Sequence, residues 1–340
     1  MTARSLIIQT SFLGDTVLTT PLIARLAERT QVDVIVTPLS APLLANNPAI
    51  HEVIVYDKRG ADRGLGGLVR LARRLRRNGY AAAYHAQGSV RSAMLSLLAR
   101  IGKRVGFETS AGRRFYTMQV PYIENEHHAE RLLRLAGDGA TSPTPRPRLF
   151  PGAAERAAVD ALLREASWES ADPLIAVAPG SVWATKRWPF YAELAEQVGG
   201  RVAVIGSSAD RELAVQIAAA APGRVIDATG RLSLLASAEL IDRATVIVTN
   251  DSAPLHLASA MGTPTVAIFG PTVPEFGFGP LAPASVVLGI TSLACRPCDR
   301  HGPQRCPLGH WRCMREITPR RVAMAVHEIV TSSPPPTSQS

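Results

Sequence analysis

Apolar residues recur along this chain in two alternating patterns. Compact runs at residues 4–9, 32–36 and 51–56 have the length and composition of buried β-strands. Residues 15–29 instead repeat apolar side chains at helical spacing through Val17, Leu18, Leu22 and Leu26. Residues 68–77 read as a basic helix. Short strands alternating with helices predict a parallel sheet with helices on its faces. The rhythm breaks at TSPTPRPRLFP, residues 141–151, where four prolines in eleven residues predict an extended connection. It resumes with strand-like runs at 174–178, 202–205, 225–227, 246–249 and 265–269. The expected architecture is α/β with two domains, residues 1–150 and 151–330, and a disordered tail over 331–340.

Three segments where a strand passes into a helix carry the candidate chemistry. In Thr10-Ser11-Phe12-Leu13-Gly14-Asp15, Gly14 permits a tight turn and Asp15 falls at a helix start, at the carboxyl end of the sheet. A carboxylate there can take a proton from a bound hydroxyl, and it is equally suited to capping the helix. The second segment is PGSVWATKRWP, residues 179–189. Ser181 offers a hydroxyl donor to a phosphate and Lys186 a mobile cation beside it; the alternative is a solvated loop. The third is NDSAPLHLA, residues 250–258, where Asp251, Ser252, Ala253 and His256 lie at a helix start whose free amides suit a diphosphate. Capping explains Asp251 and Ser252 as well, and His256 also fits a buried structural role.

Composition narrows the class. The chain has 340 residues, of which 46% are hydrophobic, enough to bury a core in each of two domains. No apolar run reaches the roughly 18–20 residues of a membrane-spanning helix. The N-terminus lacks the apolar core and cleavage site of a signal peptide, so the expected location is cytoplasmic. The net charge of +9 rests on arginine, because Lys58, Lys103 and Lys186 are the only lysines. Such a balance reflects either genome composition or an anionic partner, nucleic acid or an acidic glycolipid at a membrane. No Asp-x-Asp occurs, which argues against sugar transferases that hold a cation by that motif. Gly64-Leu65-Gly66 stands without the context of a dinucleotide fingerprint, and there is no Walker loop.

TSFLGDTVLTTPL, VRSAMLSLLARIGKRVGF, PGSVWATKRWP, NDSAPLHLASAMGTPTVAIFGPT and CRPCDRHGPQRCPLGHWRCM together resemble the bacterial ADP-heptose:lipopolysaccharide heptosyltransferases of glycosyltransferase family 9. They are nearest the heptosyltransferase II group, and the likeness runs from Ser5 to about Thr318. The resemblance implies a GT-B fold, two Rossmann-like domains with parallel sheets facing across a cleft. It also implies inverting transfer of heptose from ADP-L-glycero-D-manno-heptose to the inner core of lipopolysaccharide, the second heptose, with no cofactor required. Asp15 then corresponds to the general base, Ser181 and Lys186 to phosphate contacts, and Asp251, Ser252, Ala253 and His256 to the second donor loop. Ser252-Ala253 replaces the Thr-Gly pair frequent in the family, and Val182 stands where some members have a hydroxyl. The acceptor would be Kdo-containing lipid A at the inner face of the cytoplasmic membrane, a partner that suits the arginines. Among Arg70, Arg73, Arg74, Arg76, Arg77, Arg91, Arg104, Arg113 and Arg114, only Arg91 is assigned to the acceptor, because it lies in a family-like segment. Rivals are transfer of another sugar or of the first heptose, a GT-B nucleotide-sugar epimerase, and a nucleic-acid-binding protein. The last lacks the interleaved aromatic and basic residues of a single-strand binding surface, so no nucleic acid is expected.

All four cysteines fall in the last of those segments. Cys295, Cys298, Cys306, His310 and Cys313 supply five potential ligands within nineteen residues, and a structural zinc needs four. The alternatives are a reduced loop or reversible disulfides.

Overall fold

The computed structural model describes residues 3–139 and 143–332. The predicted connection at 141–151 and the predicted tail at 331–340 therefore lie partly outside the described residues; residues 331 and 332 close the last helix. The chain divides into two compact units, Met1–Phe150 and Pro151–Ser340.

In the first unit the strands are β1 (Arg4–Ile8), β2 (Gln31–Val36), β3 (Glu52–Val55), β4 (Ala82–His85), β5 (Lys103–Phe107) and β6 (Met118–Val120). They form one parallel sheet in the order β3-β2-β1-β4-β5-β6. The second unit holds β7 (Leu174–Ala178), β8 (Arg201–Val204), β9 (Val225–Asp227), β10 (Val246–Asn250), β11 (Thr265–Ile268) and β12 (Val286–Leu288). Their order is β12-β11-β10-β7-β8-β9, again all parallel. Each unit is thus a Rossmann-type sheet, two halves running outward in opposite directions from its first strand. The fold class implied by the resemblance, α/β with two Rossmann-like domains, is the one observed.

Burial on both faces explains why these strands are near-continuous apolar runs rather than alternating ones. On β1, Ile7 packs with Leu22, Leu26, Val34 and Val105 on one face. Leu6 and Ile8 pack with Ile35, Leu71, Leu75 and Leu95 on the other. Each such side chain contributes about 1.5–3 kcal/mol relative to exposure. In the second unit, Ile175, Val177, Val202, Val248 and Ile268 form the equivalent layer under Trp188 and Tyr191.

The helix expected at 15–29 is interrupted. It is observed as Leu13–Leu18 and Thr20–Ala27, with Thr19 between them. Pro21 cannot donate to the carbonyl of Val17, and the Thr20 hydroxyl does so instead at 2.8 Å. The Thr19 hydroxyl bonds back to Asp15 O at 2.7 Å. No helix among the described residues is long and apolar enough to cross a membrane.

Candidate active site

A doubly wound sheet opens a crevice where its first and fourth strands lie side by side, because the connections leave them in opposite directions. In the first unit these strands are β1 and β4, and the loops at their carboxyl ends touch. Thr10 Oγ1 donates to Gln87 Oε1 at 3.3 Å. Asp15 lies one turn into the helix that follows β1, with Phe12, not Asp15, at the N-cap position. Its Oδ2 receives the Phe12 amide at 3.4 Å and lies within bonding reach of Ser11 Oγ. That hydroxyl also sits 2.9 Å from Gln9 Oε1 and has one proton to share between the two oxygens. Asp15 therefore does part of a capping residue's work through Oδ2, while Oδ1 faces His128 Nε2 at 3.9 Å.

Arg91 opens the helix Val90–Leu98, and its guanidinium is turned back into the protein. It bonds to Tyr56 Oη, and to the carbonyls of Asp62 and Gly64 at 2.9 Å each. Lys58, on the loop after β3, donates to Thr10 O at 2.8 Å. Burial pushes its pKa down, and the neighbouring charges of Arg59 and Arg91 push it further. Sequence reasoning missed Lys58 and His128. The signal that singles out Lys186, a lysine in an arginine-rich chain, applies to Lys58 as well. Nothing in the spacing connects His128 to Asp15. Arg104, another of the basic set, is structural: it bonds to Phe115 O and Ile101 O at 2.7 and 2.6 Å.

In the second unit the adjacent first and fourth strands are β7 and β10. Their ends carry the two phosphate-binding candidates, and the sheet brings these together. Lys186 Nζ donates to Asp251 Oδ2 at 2.6 Å, and Thr272 Oγ1 donates to the same oxygen at 2.6 Å. Both charged side chains are buried, so Lys186 is not the mobile cation expected. The three-residue turn Ala184–Lys186 directs it inward, against the carboxylate. Asn250, also missed, ties the same loops. Its Nδ2 donates to Pro179 O at 3.0 Å, and its Oδ1 accepts from Trp188 N at 3.1 Å and Tyr191 Oη at 3.2 Å.

Ser181 Oγ accepts from the Trp183 amide at 3.3 Å and so retains its own proton for a ligand. Gly180 lies close beside it, and a Cβ there would come within 2.4 Å of Asp210 Oδ1 and displace that carboxylate. Ser252 is the N-cap of the helix Ala253–Met261 but makes no side-chain capping bond. The amides that begin this helix are therefore not used by that hydroxyl. His256 is buried one turn further on, edge-on to Phe278 with ring centroids 6.2 Å apart. Val182, 73% exposed, offers no phosphate contact.

The cysteine segment lies over this loop. Pro303 O accepts from the Thr185 hydroxyl, and Gln304 bonds to Ala184 N at 3.2 Å and Val182 O at 3.0 Å. Arg296 donates to the carbonyls of Phe269, Gly270, Ile290 and Thr272, which fixes the strand end that presents Thr272. All four cysteines are free thiols. Cys295, Cys298, Cys306, His310 and Cys313, the five residues of the zinc expectation, are not drawn together as a ligand set. Cys295 Sγ approaches His310 Nε2 at 3.8 Å, but Cys298 Sγ donates to Cys295 O at 3.1 Å. Among the described residues, no three His, Cys, Asp or Glu side chains are gathered to hold a metal. Burial raises the pKa of Cys298 and pushes that of Cys313 up to about 11. Burial opposes ionisation of Cys306 too, yet amides of residues including Trp311 and Leu308 bring its pKa down.

Against known proteins, a profile of glycosyltransferase family 9 (heptosyltransferase) matches residues 68–309. The chain is 30% identical over 315 residues to lipopolysaccharide heptosyltransferase 1 of Pseudomonas aeruginosa, covering 87% of this chain and 86% of that protein. It is 28% identical over 350 residues to lipopolysaccharide heptosyltransferase 2 of Salmonella typhimurium, covering 96% of this chain and 99% of that one. The solved structure of E. coli ADP-heptose LPS heptosyltransferase II is 27% identical and has a TM-score of 0.80, over 96% of this chain and 98% of that one.

Proposed function

This chain belongs to glycosyltransferase family 9, and from that premise we propose that it moves heptose from ADP-L-glycero-D-manno-heptose to the inner core of lipopolysaccharide, with inversion. The second heptose position is favoured by the Salmonella and E. coli relatives, whose names carry that position and which match nearly the whole chain. The observation that carries the donor side is the buried bond of Lys186 to Asp251, which joins the two candidate phosphate loops at the start of one helix.

Asp15 takes the proton of an acceptor hydroxyl, and the freed oxygen pair forms a bond to the anomeric carbon. The bond from that carbon to ADP breaks on the opposite side, and its electron pair leaves with the diphosphate. Lys186, the Ser181 hydroxyl and the amides of Ser252 and Ala253 meet the charge as it grows, in a water-poor setting where such donors count most. In this reading no cofactor is required, because protein groups supply the compensating charge. Lys58 and Arg91 place positive charge near Thr10, on the acceptor side, where the acidic Kdo sugars of a lipid A acceptor would be met. On the basic helix Gly64–Arg77, Arg70 and Arg74 are paired with Asp62 and Glu52. Arg73, Arg76 and Arg77 are exposed, a supply of charge for an anionic membrane surface on the cytoplasmic side.

The test is release of ADP from ADP-heptose with and without lipid acceptors. Release should require acceptor, and the product should gain one heptose by mass. An acceptor already carrying the first heptose should react, and one lacking it should not. Equal turnover without acceptor would overturn the transferase reading, and reaction of the shorter acceptor alone would move it to the first position.

A further inference from the structure

His128 stands beside the carboxylate proposed as the base, although no motif marks it. It begins the helix His128–Arg134, which packs on the helix Thr20–Ala27. Its Nε2 lies 3.9 Å from Asp15 Oδ1, with the two side chains only 12% and 18% exposed. The other carboxylate oxygen is already engaged by the Ser11 hydroxyl and the Phe12 amide. Oδ1 is thus the oxygen left to take a proton, and the imidazole is the ring beside it.

We propose that His128 is a positioning residue for Asp15, a neutral imidazole whose Nε2–H donates to Oδ1 and holds the carboxylate toward the acceptor hydroxyl. This rests on Asp15 being the base. The contact is just beyond hydrogen-bond length in the free protein and shortens as the acceptor binds. The proton moves from the acceptor hydroxyl to Oδ1 and stays there, while His128 remains neutral.

Burial lowers the His128 pKa; the Asp15 carboxylate works against that fall and Arg131 adds to it. The other charges on the packed elements are engaged: Arg25 bonds to Asp138 and Glu28, Arg134 bonds to Glu126, and the Glu130 carboxylate accepts the His127 amide at 3.4 Å. Arg131 is spent on Tyr122 Oη and the carbonyls of Ile123 and Glu124. Protonating His128 would place a full positive charge beside Asp15, and an imidazolium there weakens the base. Activity should therefore fall on the acid side with a step that belongs to the pair.

The experiment compares wild type, His128→Leu, His128→Gln and Asp15→Asn, each checked for folding by thermal melting. His128→Leu should lose kcat on the order of tenfold to hundredfold, with the KM for ADP-heptose unchanged. His128→Gln keeps a polar partner that does not titrate, so it should retain most of the kcat while its acid limb moves to lower pH. An acid limb that stays in place in His128→Gln overturns the proposal, and so does an unchanged kcat in folded His128→Leu. If His128→Leu does not fold, the acid limb of the Gln variant decides. Near-normal turnover in Asp15→Asn would remove the base itself, which is a separate failure.

Discussion

At the scale of single residues, the site is governed by who neutralises whom. Lys186 and Asp251 are both buried and bonded at 2.6 Å, so neither charge is stranded, and Thr272 supplies a further donor to the carboxylate. Breaking a buried pair by removing one partner commonly costs about 3–5 kcal/mol, because the other charge is left uncompensated. Lys186→Ala should therefore melt at a markedly lower temperature and bind ADP more weakly, two effects that need separating. The double variant Lys186→Met, Asp251→Asn removes both charges and should recover much of the stability without recovering ADP affinity. Calorimetric titration with ADP checks this, and wild-type affinity in a folded double variant would take Lys186 out of the donor site. Lys186 was legible in the sequence through its rarity and its place after a strand, and Asp251 through its place before a helix. Their bond was not, since it joins loops that are distant in sequence and meet only because β7 and β10 are neighbours. His128 and Lys58 were illegible as partners of the Asp15 loop for the same reason.

The elements show where periodicity suffices and where it fails. Runs rich in Val and Ile, such as those of β2, β7 and β10, declare themselves, because both faces of these sheets are buried. The strand β4 is Ala82-Ala83-Tyr84-His85, with no branched residue, yet every position is buried. It was not legible, and nor were β6 and β12, three residues each. The end of β4 is also where the fold keeps a histidine fully enclosed. His85 bonds to Ser96 Oγ at 3.0 Å and stacks on Tyr116 with centroids 4.6 Å apart. Burial, with a smaller contribution from Arg104, lowers its pKa to about 3. The unfolded chain takes a proton at this position below about pH 6.5, whereas the folded chain does not until about pH 3. Stability should therefore fall as pH drops from 6.5 toward 3, with about 2 kcal/mol lost at pH 5 from this residue. Chemical denaturation at pH 7 and pH 5 checks it. His85→Gln should flatten the dependence, and an equal slope in that variant would assign the loss to other groups.

The whole molecule repeats one design twice, with different residues at the two switch points. Each unit is a six-stranded parallel sheet of the same strand order with its own core, and each has a loop pair at the switch between its first and fourth strands. The loops of the first unit present a carboxylate with a histidine beside it; those of the second present a lysine–aspartate pair, a hydroxyl and a helix start. That difference suits proton removal in one unit and diphosphate binding in the other, and it predicts an asymmetric footprint for ADP. ADP at a hundred times its Kd would stabilise the unit that binds it by about 2.7 kcal/mol. Hydrogen exchange measured with ADP alone should slow in the second unit, at residues 179–190, 250–257 and 270–304, the last because the cysteine segment is hydrogen-bonded to the Lys186 loop. Residues 9–15 should stay at their free rate until an acceptor is added. Comparable slowing around Asp15 with ADP alone would mean that the first unit also holds the nucleotide, and the division of labour between the two sheets would have to be redrawn.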